Sequence, residues 1–126
     1  MRLNQVTVPA LDVERSIAFY ETLGLRLIVQ SPHYARFELP DGESTFSIHL
    51  VSDAGRMAEG TGIYFECEDL DTRVAALKSC GIVFDSDPTD QSWLWREAWL
   101  TDPAGVKLCL YKAGENRRYP PWRVKD

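Results

Sequence analysis

The chain has 126 residues, enough for one domain that buries about 60% or more of its unfolded surface around a hydrophobic core. Hydrophobic residues make up 44% and charged residues 26%, values near globular averages that argue against a disordered or fibrous protein. The net charge of −5 comes without a basic stripe in the body of the chain, which argues against nucleic acid as a partner.

The chain begins with a predicted strand and a predicted helix. Residues 3–9 alternate apolar and polar side chains and are rich in Val and Thr, which is typical of a half-buried strand. Asp12 is a candidate helix N-cap, and an apolar stripe at helical spacing continues to Leu23 before Gly24 ends the helix. Three further strands are predicted over residues 25–30, 34–39 and 45–51.

The second half repeats this order. A strand is predicted over residues 61–69 and a helix over 70–81, followed by strands over 82–85, 94–101 and 106–112. An offset of 57 residues places Gly24 on Gly81 and Asp12 on Asp69. This internal repeat predicts two βαβββ modules, the second a copy of the first.

The cysteines and the apolar runs indicate where in the cell the protein is expected to work. Cys67, Cys80 and Cys109 are odd in number and lack C-x-x-C spacing, so neither a disulfide framework nor a zinc knuckle is predicted. No apolar run approaches the roughly 20 residues that span a bilayer, and the first residues lack the features of a signal peptide. We therefore expect a cytoplasmic protein with no membrane partner.

Three stretches carry a resemblance to a known family: VTVPALDVERSIAFYETLGLRL, GIYFECEDLDTRVAALKSCGI and REAWLTDPAGVKLCLY. They resemble the vicinal oxygen chelate superfamily of glyoxalases, extradiol dioxygenases and fosfomycin- and bleomycin-resistance proteins, in an uncharacterised glyoxalase-like branch. The resemblance implies an α+β fold in which two tandem βαβββ modules form a curled mixed sheet around a cavity, with the helices outside. It also implies a single domain over 1–126, with modules at about 1–53 and 60–112 and a tail at 113–126, and a homodimer.

The resemblance also implies four positions for metal ligands, on the first and last strand of each module. Gln5 matches the first, and either Ser47 or His49 holds the second. The other two fall on Gly62, which has no side chain, and on Cys109 in place of the usual carboxylate. We therefore expect no metal cofactor. The alternative is a lyase, transferase or dioxygenase that binds a divalent metal ion (zinc, iron, nickel or manganese) through Gln5, His49 and Cys109.

Strand alternation predicts an aromatic cavity instead. Trp93, Trp95, Glu97 and Trp99 share one face of their strand, and Tyr34 and Tyr64 add to the aromatic set. Such a cavity suits a small organic molecule, planar or cationic, which the protein binds and could transform. The predicted ligand-binding residues are Gln5, Arg36, His49, Tyr64, Glu66, Trp95, Glu97, Trp99 and Tyr111. The alternative is that these aromatic residues only fill the interior or a dimer interface.

A third possibility is acid–base catalysis without a metal. Glu66 and Glu97 could form a carboxylate pair with separated pKa values, and His49 is a further catalytic candidate. The tail from residue 113 carries Tyr119, Trp122 and several Arg residues. We expect it to fold back over the body or over a partner subunit.

Overall fold

The computed structural model describes residues 1–55 and 60–125. The chain divides into two compact units, Met1–Thr61 with Asp102–Val106, and Gly62–Thr101 with Lys107–Asp126. Each unit carries one α-helix and one four-stranded mixed sheet, with the helix outside. The predicted α+β class with two βαβββ modules is confirmed.

The first unit contains a sheet in the order β1-β4-β3-β2, in which β1 runs parallel to β4 and the other pairs are antiparallel. Its elements are β1 (Gln5–Ala10), α1 (Val13–Leu23), β2 (Arg26–Ser31), β3 (Tyr34–Glu38) and β4 (Thr45–Leu50). Asp12 caps α1, since its carboxylate accepts a hydrogen bond from the Arg15 N–H at 3.0 Å. Gly24 ends the helix in the left-handed conformation at φ 106°, which a residue without a Cβ adopts freely. Both predicted helix ends are therefore correct.

A buried tyrosine anchors the core of the first unit. The Tyr20 ring packs on Phe46 with centroids 4.7 Å apart, and its hydroxyl donates to Asp102 Oδ2. The other oxygen of Asp102 accepts from the N–H groups of Ala104 and Val106, both at 2.8 Å. Burial, together with the Asp102 charge, raises the pKa of Tyr20 far above its ordinary value. The turn over residues 102–105 is thus tied to the core of the first unit.

The second unit repeats the topology, with sheet order β5-β8-β7-β6 and β5 parallel to β8. Its elements are β5 (Ile63–Glu66), α2 (Leu70–Ser79), β6 (Thr89–Asp90), β7 (Arg96–Thr101), β8 (Lys107–Lys112) and a 3₁₀-helix at Gly114–Arg117. Gly81 follows α2 at φ 91°, as Gly24 follows α1 at φ 106°, so the offset of 57 residues matches equivalent helix ends.

The strand predicted over residues 82–85 is wrong in extent. Only Phe84 pairs, in a single bridge to Leu100, and the edge strand is β6. The N–H groups of Asp85 and Ser86 both donate to the Trp99 carbonyl oxygen, at 2.7 and 3.3 Å. Successive N–H groups of an extended strand point to opposite sides, so this shared acceptor requires a bend. The bend ends the pairing after one residue.

The C-terminal tail begins against the second unit. The Trp95 indole N–H donates to the Asn116 carbonyl oxygen at 3.2 Å. Further along, Tyr119 and Trp122 are more than half exposed. The Arg123 guanidinium lies 4.6 Å from the centroid of the Tyr119 ring. Within residues 1–55 and 60–125, no arginine of the tail forms an ion pair.

Neither α-helix in the described ranges could cross a membrane, because both are too short and too polar.

Candidate functional site

One face of the second sheet is aromatic because of the alternation along β7. Trp95, Glu97 and Trp99 project to this face, whereas Ala98 and Leu100 project to the other and are fully buried. Tyr64 from β5 and Tyr111 from β8 join the same face through the register of the sheet. We call Tyr64, Trp95, Trp99 and Tyr111 the aromatic cluster.

The rings of the aromatic cluster hold one another in fixed geometry. Trp95 stacks on Tyr111 with centroids 4.6 Å apart and planes 16° apart. Tyr64 turns its edge toward Trp95, Trp99 and Tyr111 at centroid distances of 5.9, 5.5 and 5.8 Å. Stacked and edge-to-face pairs are the favoured arrangements of aromatic rings. The cluster is therefore a preformed surface rather than a set of independent side chains.

A buried carboxylate lies at the centre of this surface. Glu97 is only 4% exposed, and its two oxygens accept the indole N–H groups of Trp93 at 2.7 Å and Trp99 at 3.0 Å. No Lys, Arg or His among the described residues forms an ion pair with it. Buried charges are normally paired as well as hydrogen-bonded. Glu97 has the hydrogen bonds, and the described part of the chain supplies no counter-charge.

A tight turn places Trp93 over Glu97. The Gln91 N–H donates to the Trp95 carbonyl at 2.8 Å, and the Leu94 N–H donates to the Gln91 carbonyl at 3.0 Å. Leu94 adopts φ 70°, the left-handed region that costs a residue with a Cβ about 1–2 kcal/mol. The hydrogen bonds of the turn and of Trp93 hold this strained conformation, which brings the Trp93 indole back over the sheet.

These side chains line a cavity of about 570 Å³, formed by Tyr64, Gln91, Trp93, Trp95, Glu97 and Trp99. This volume lies in the usual range for small-molecule sites. Trp93 and Tyr64 are nearly half exposed, so the cavity opens to solvent beside them. The sequence indicated all of these residues except Gln91. Gln91 escaped notice because it lies in a turn, where strand alternation gives no signal.

The two candidate catalytic carboxylates lie on either side of Tyr111. Glu66 pairs with Tyr111 across β5 and β8, and Tyr111 pairs with Glu97 across β8 and β7. Two strand spacings separate their backbones by about 10 Å. Burial, followed by the Glu66 charge, raises the pKa of Tyr111. A tyrosine strand position separates the two residues, and their role as an acid–base pair stays a prediction.

The metal-ligand positions implied for the second module do not fit a metal. A Cβ on Gly62 would lie 3.0 Å from Trp99 Cη2 and 3.3 Å from Tyr64 Cε1, so the aromatic cluster fills the space beside Gly62. Cys109 is fully buried, and burial, reinforced by the Glu97 charge, raises the pKa of its thiol to about 12. Metals bind the thiolate, and this site disfavours the thiolate.

The positions in the first unit are occupied by other interactions. The Gln5 side-chain oxygen accepts a hydrogen bond from Thr45 Oγ1 at 2.7 Å. Ser47 is fully buried and its hydroxyl is paired with that of Thr7, whereas His49 is exposed. In the described ranges, no group of three or more His, Cys, Asp or Glu side chains could hold a metal ion. The donor set implied by the resemblance does not fit, although the need for a metal stays an open prediction.

Three of the predicted ligand-binding residues lie in the first unit: Gln5, Arg36 and His49. They are not among the residues that line the aromatic cavity. A ligand site built from both modules stays a prediction.

The sequence matches a family model. The model describes the glyoxalase/bleomycin resistance protein/dioxygenase superfamily and matches residues 2–110. The comparison with curated proteins gave no match.

Solved structures share the fold. A glyoxalase/bleomycin resistance protein/dioxygenase from Nocardioides is 22% identical, with a TM-score of 0.76 over 99% of this chain and 90% of its own. A bleomycin-binding protein solved in complex with bleomycin is 23% identical, with a TM-score of 0.72 over 89% and 98% of the two chains. A lactoylglutathione lyase from Agrobacterium tumefaciens is 16% identical, with a TM-score of 0.71 over 88% and 92%.

Proposed function

Because the chain belongs to the glyoxalase/bleomycin resistance protein/dioxygenase superfamily, we propose that it binds a small, planar, cationic organic molecule in the aromatic cavity of its second unit. The observation that carries this proposal is the state of Glu97. Its buried carboxylate is hydrogen-bonded by two indoles and lacks a cationic partner among the described residues. A cation in the cavity supplies the missing counter-charge.

The walls of the cavity favour a planar cation over a compact one. Trp93, Trp95, Trp99 and Tyr64 offer ring faces and edges to a flat molecule. A cation over the face of Trp or Tyr gains about 0.5–2 kcal/mol, more when water is excluded. Stacking and charge therefore act together on a ligand that is both flat and positive.

Glu97 acts on the ligand from below the indoles. Both of its oxygens are engaged by Trp93 and Trp99 at 2.7 and 3.0 Å, so its charge acts through the electrostatic field rather than by direct contact. The same hydrogen bonds orient the two rings. Glu97 thus has two roles in the proposal, as counter-charge and as the residue that positions the indoles.

The descriptions of the similar structures fit a binding role and do not share one reaction. Two of the similar structures are described as a bleomycin-binding protein and a bleomycin resistance determinant, and a third as a lactoylglutathione lyase. Gly62 and Cys109 do not fit a metal site, and this favours a binding role over metal-dependent catalysis. We further propose that the protein works in the cytoplasm and forms a homodimer. Light scattering of the purified protein tests the homodimer.

The test compares two planar ligands that differ in charge. We expect N-methylquinolinium to bind in isothermal titration calorimetry and neutral quinoline to bind at least about tenfold more weakly, since the cation–π contacts and the attraction to the Glu97 charge are lost. Glu97→Gln removes the charge and keeps an acceptor for only one of the two indoles, because the amide nitrogen is a donor. It should abolish the preference for the cation. Trp122→Phe changes an exposed tryptophan of the tail and serves as the control. Equal binding of the two ligands to the unmodified protein contradicts the proposal.

A further inference from the structure

A second polar feature lies on the sheet of the first unit. Ser47 pairs with Thr7 on one side and Arg36 on the other in the register of β1, β4 and β3. The Thr7 and Ser47 hydroxyl oxygens are 2.5 Å apart, and the Arg36 Nε donates to the Tyr34 hydroxyl at 2.9 Å. The Thr7–Ser47 and Arg36–Tyr34 pairs therefore lie side by side across three strands, and we call these four residues the hydroxyl row.

The charge of Arg36 is not neutralised on this face. Arg36 forms no ion pair with any residue in ranges 1–55 and 60–125. Glu38, the carboxylate nearest along the same strand face, is paired with Arg26 at 3.6 Å. His49, opposite Tyr34 in the register, is exposed. In a chain with a net charge of −5, this face therefore presents an uncompensated positive group.

The geometry of Arg36 leaves donors for a ligand. A guanidinium has five N–H groups, and the bond to Tyr34 uses the one on Nε. The terminal nitrogens form the planar fork that matches carboxylate and phosphate oxygens. The guanidinium carbon lies 5.4 Å from the centroid of the Tyr34 ring, so the tyrosine also supports the plane of the fork.

We infer that Arg36 and Tyr34 of the hydroxyl row form a binding site for a small oxyanion, a carboxylate or phosphate group, held by the Arg36 fork with the Tyr34 hydroxyl beside it. This site differs from the aromatic cavity in unit, in composition and in the sign of the charge it takes. It does not depend on the function proposed for that cavity.

The test is a titration followed by ¹H–¹⁵N NMR, with acetate and inorganic phosphate added separately at constant ionic strength. We expect saturable shifts at the amides of Arg36 and Ser47. Arg36→Gln should weaken binding about tenfold or more, because a hydrogen-bonded charge is removed. Arg15→Gln removes the same charge from an exposed side chain of α1 and should change binding less than about twofold.

The possible outcomes distinguish a carboxylate ligand from a phosphate ligand. They also distinguish this inference from the function proposed for the aromatic cavity. Saturation with acetate alone identifies a carboxylate site, and saturation with phosphate alone identifies a phosphate site. The indole resonances of Trp93 and Trp99 report on the aromatic cavity and should not move. Shifts that do not saturate, or equal weakening by Arg36→Gln and Arg15→Gln, overturn the inference. If Arg36→Gln fails to fold, Arg36→Lys and Tyr34→Phe take its place, and unchanged affinity in both overturns the inference.

Discussion

Replacing Gly62 with alanine tests whether the aromatic cluster fills the space at the first strand of the second module. The added methyl carbon would lie 3.0 Å from Trp99 Cη2, 3.2 Å from Trp99 Cζ3 and 3.3 Å from Tyr64 Cε1. Non-bonded carbon atoms prefer about 3.5–4.0 Å, so the outer edge of the indole must retreat by about 0.5 Å or more. Its other edge donates to Glu97 at 3.0 Å, and the retreat strains that hydrogen bond.

The size of the effect follows from two opposing contributions. Overpacking of this kind costs about 1–3 kcal/mol. Alanine also restricts the unfolded chain, which returns about 0.4–1 kcal/mol because the backbone at Gly62 is not left-handed. We expect Gly62→Ala to lower the free energy of unfolding by about 1–2 kcal/mol. At a urea dependence of about 2 kcal/mol per molar, the unfolding midpoint falls by about 0.5–1 M.

A double-mutant cycle with Trp99→Phe isolates the contact. Phenylalanine lacks the outer atoms Cη2 and Cζ3, so most of the penalty of Gly62→Ala should disappear in that background. Equilibrium urea unfolding of the four proteins, followed by circular dichroism, gives the coupling free energy. An unchanged midpoint in Gly62→Ala, or the same loss in both backgrounds, would refute the packing argument.

The remaining predictions concern buried groups. Tyr20→Phe should cost about 1–3 kcal/mol at pH 7, because it leaves the buried Asp102 carboxylate short of a donor, as urea unfolding can measure. The pKa of folded Tyr20 is raised, so its stabilising contribution is complete below the unfolded pKa of 10.0 and is lost above it. Between pH 8 and 11, the free energy of unfolding should fall more steeply with pH in the parent protein than in Tyr20→Phe. Equal slopes would contradict this. Iodoacetamide at pH 8 should label exposed Cys80 and spare Cys109 until the protein is unfolded, because burial raises the pKa of the Cys109 thiol to about 12. Mass spectrometry of the peptides measures labelling at both sites. Similar labelling rates at Cys80 and Cys109 would contradict the expectation. Elemental analysis after addition of zinc, nickel, manganese or iron(II) should find well under one metal ion per chain. If the parent protein instead binds nearly one metal ion per chain, and Cys109→Ser or His49→Gln does not, the metal-dependent alternative is restored.

The helices and most strands were predictable because their signals are local. Asp12 and Gly24 end the first helix through contacts with residues three or four positions away, and such contacts depend on spacing alone. The predicted strand over residues 82–85 was wrong in extent because its single bridge depends on a carbonyl of a distant strand, that of Trp99. Pairing partners so far apart along the chain leave no periodic signal.

By itself, the sequence determined the two-module α+β fold and the side of β7 that carries Trp95, Glu97 and Trp99. Alternation places a side chain on a face of a sheet, which needs only a period of two. Only the tertiary structure decided what those side chains do there. It paired Glu97 with two indoles, set Trp99 beside Gly62 and linked Ser47 to Thr7. These contacts depend on strand register, on the turn at Leu94 and on side-chain rotamers, because distances of a few ångströms arise only when separate strands pair.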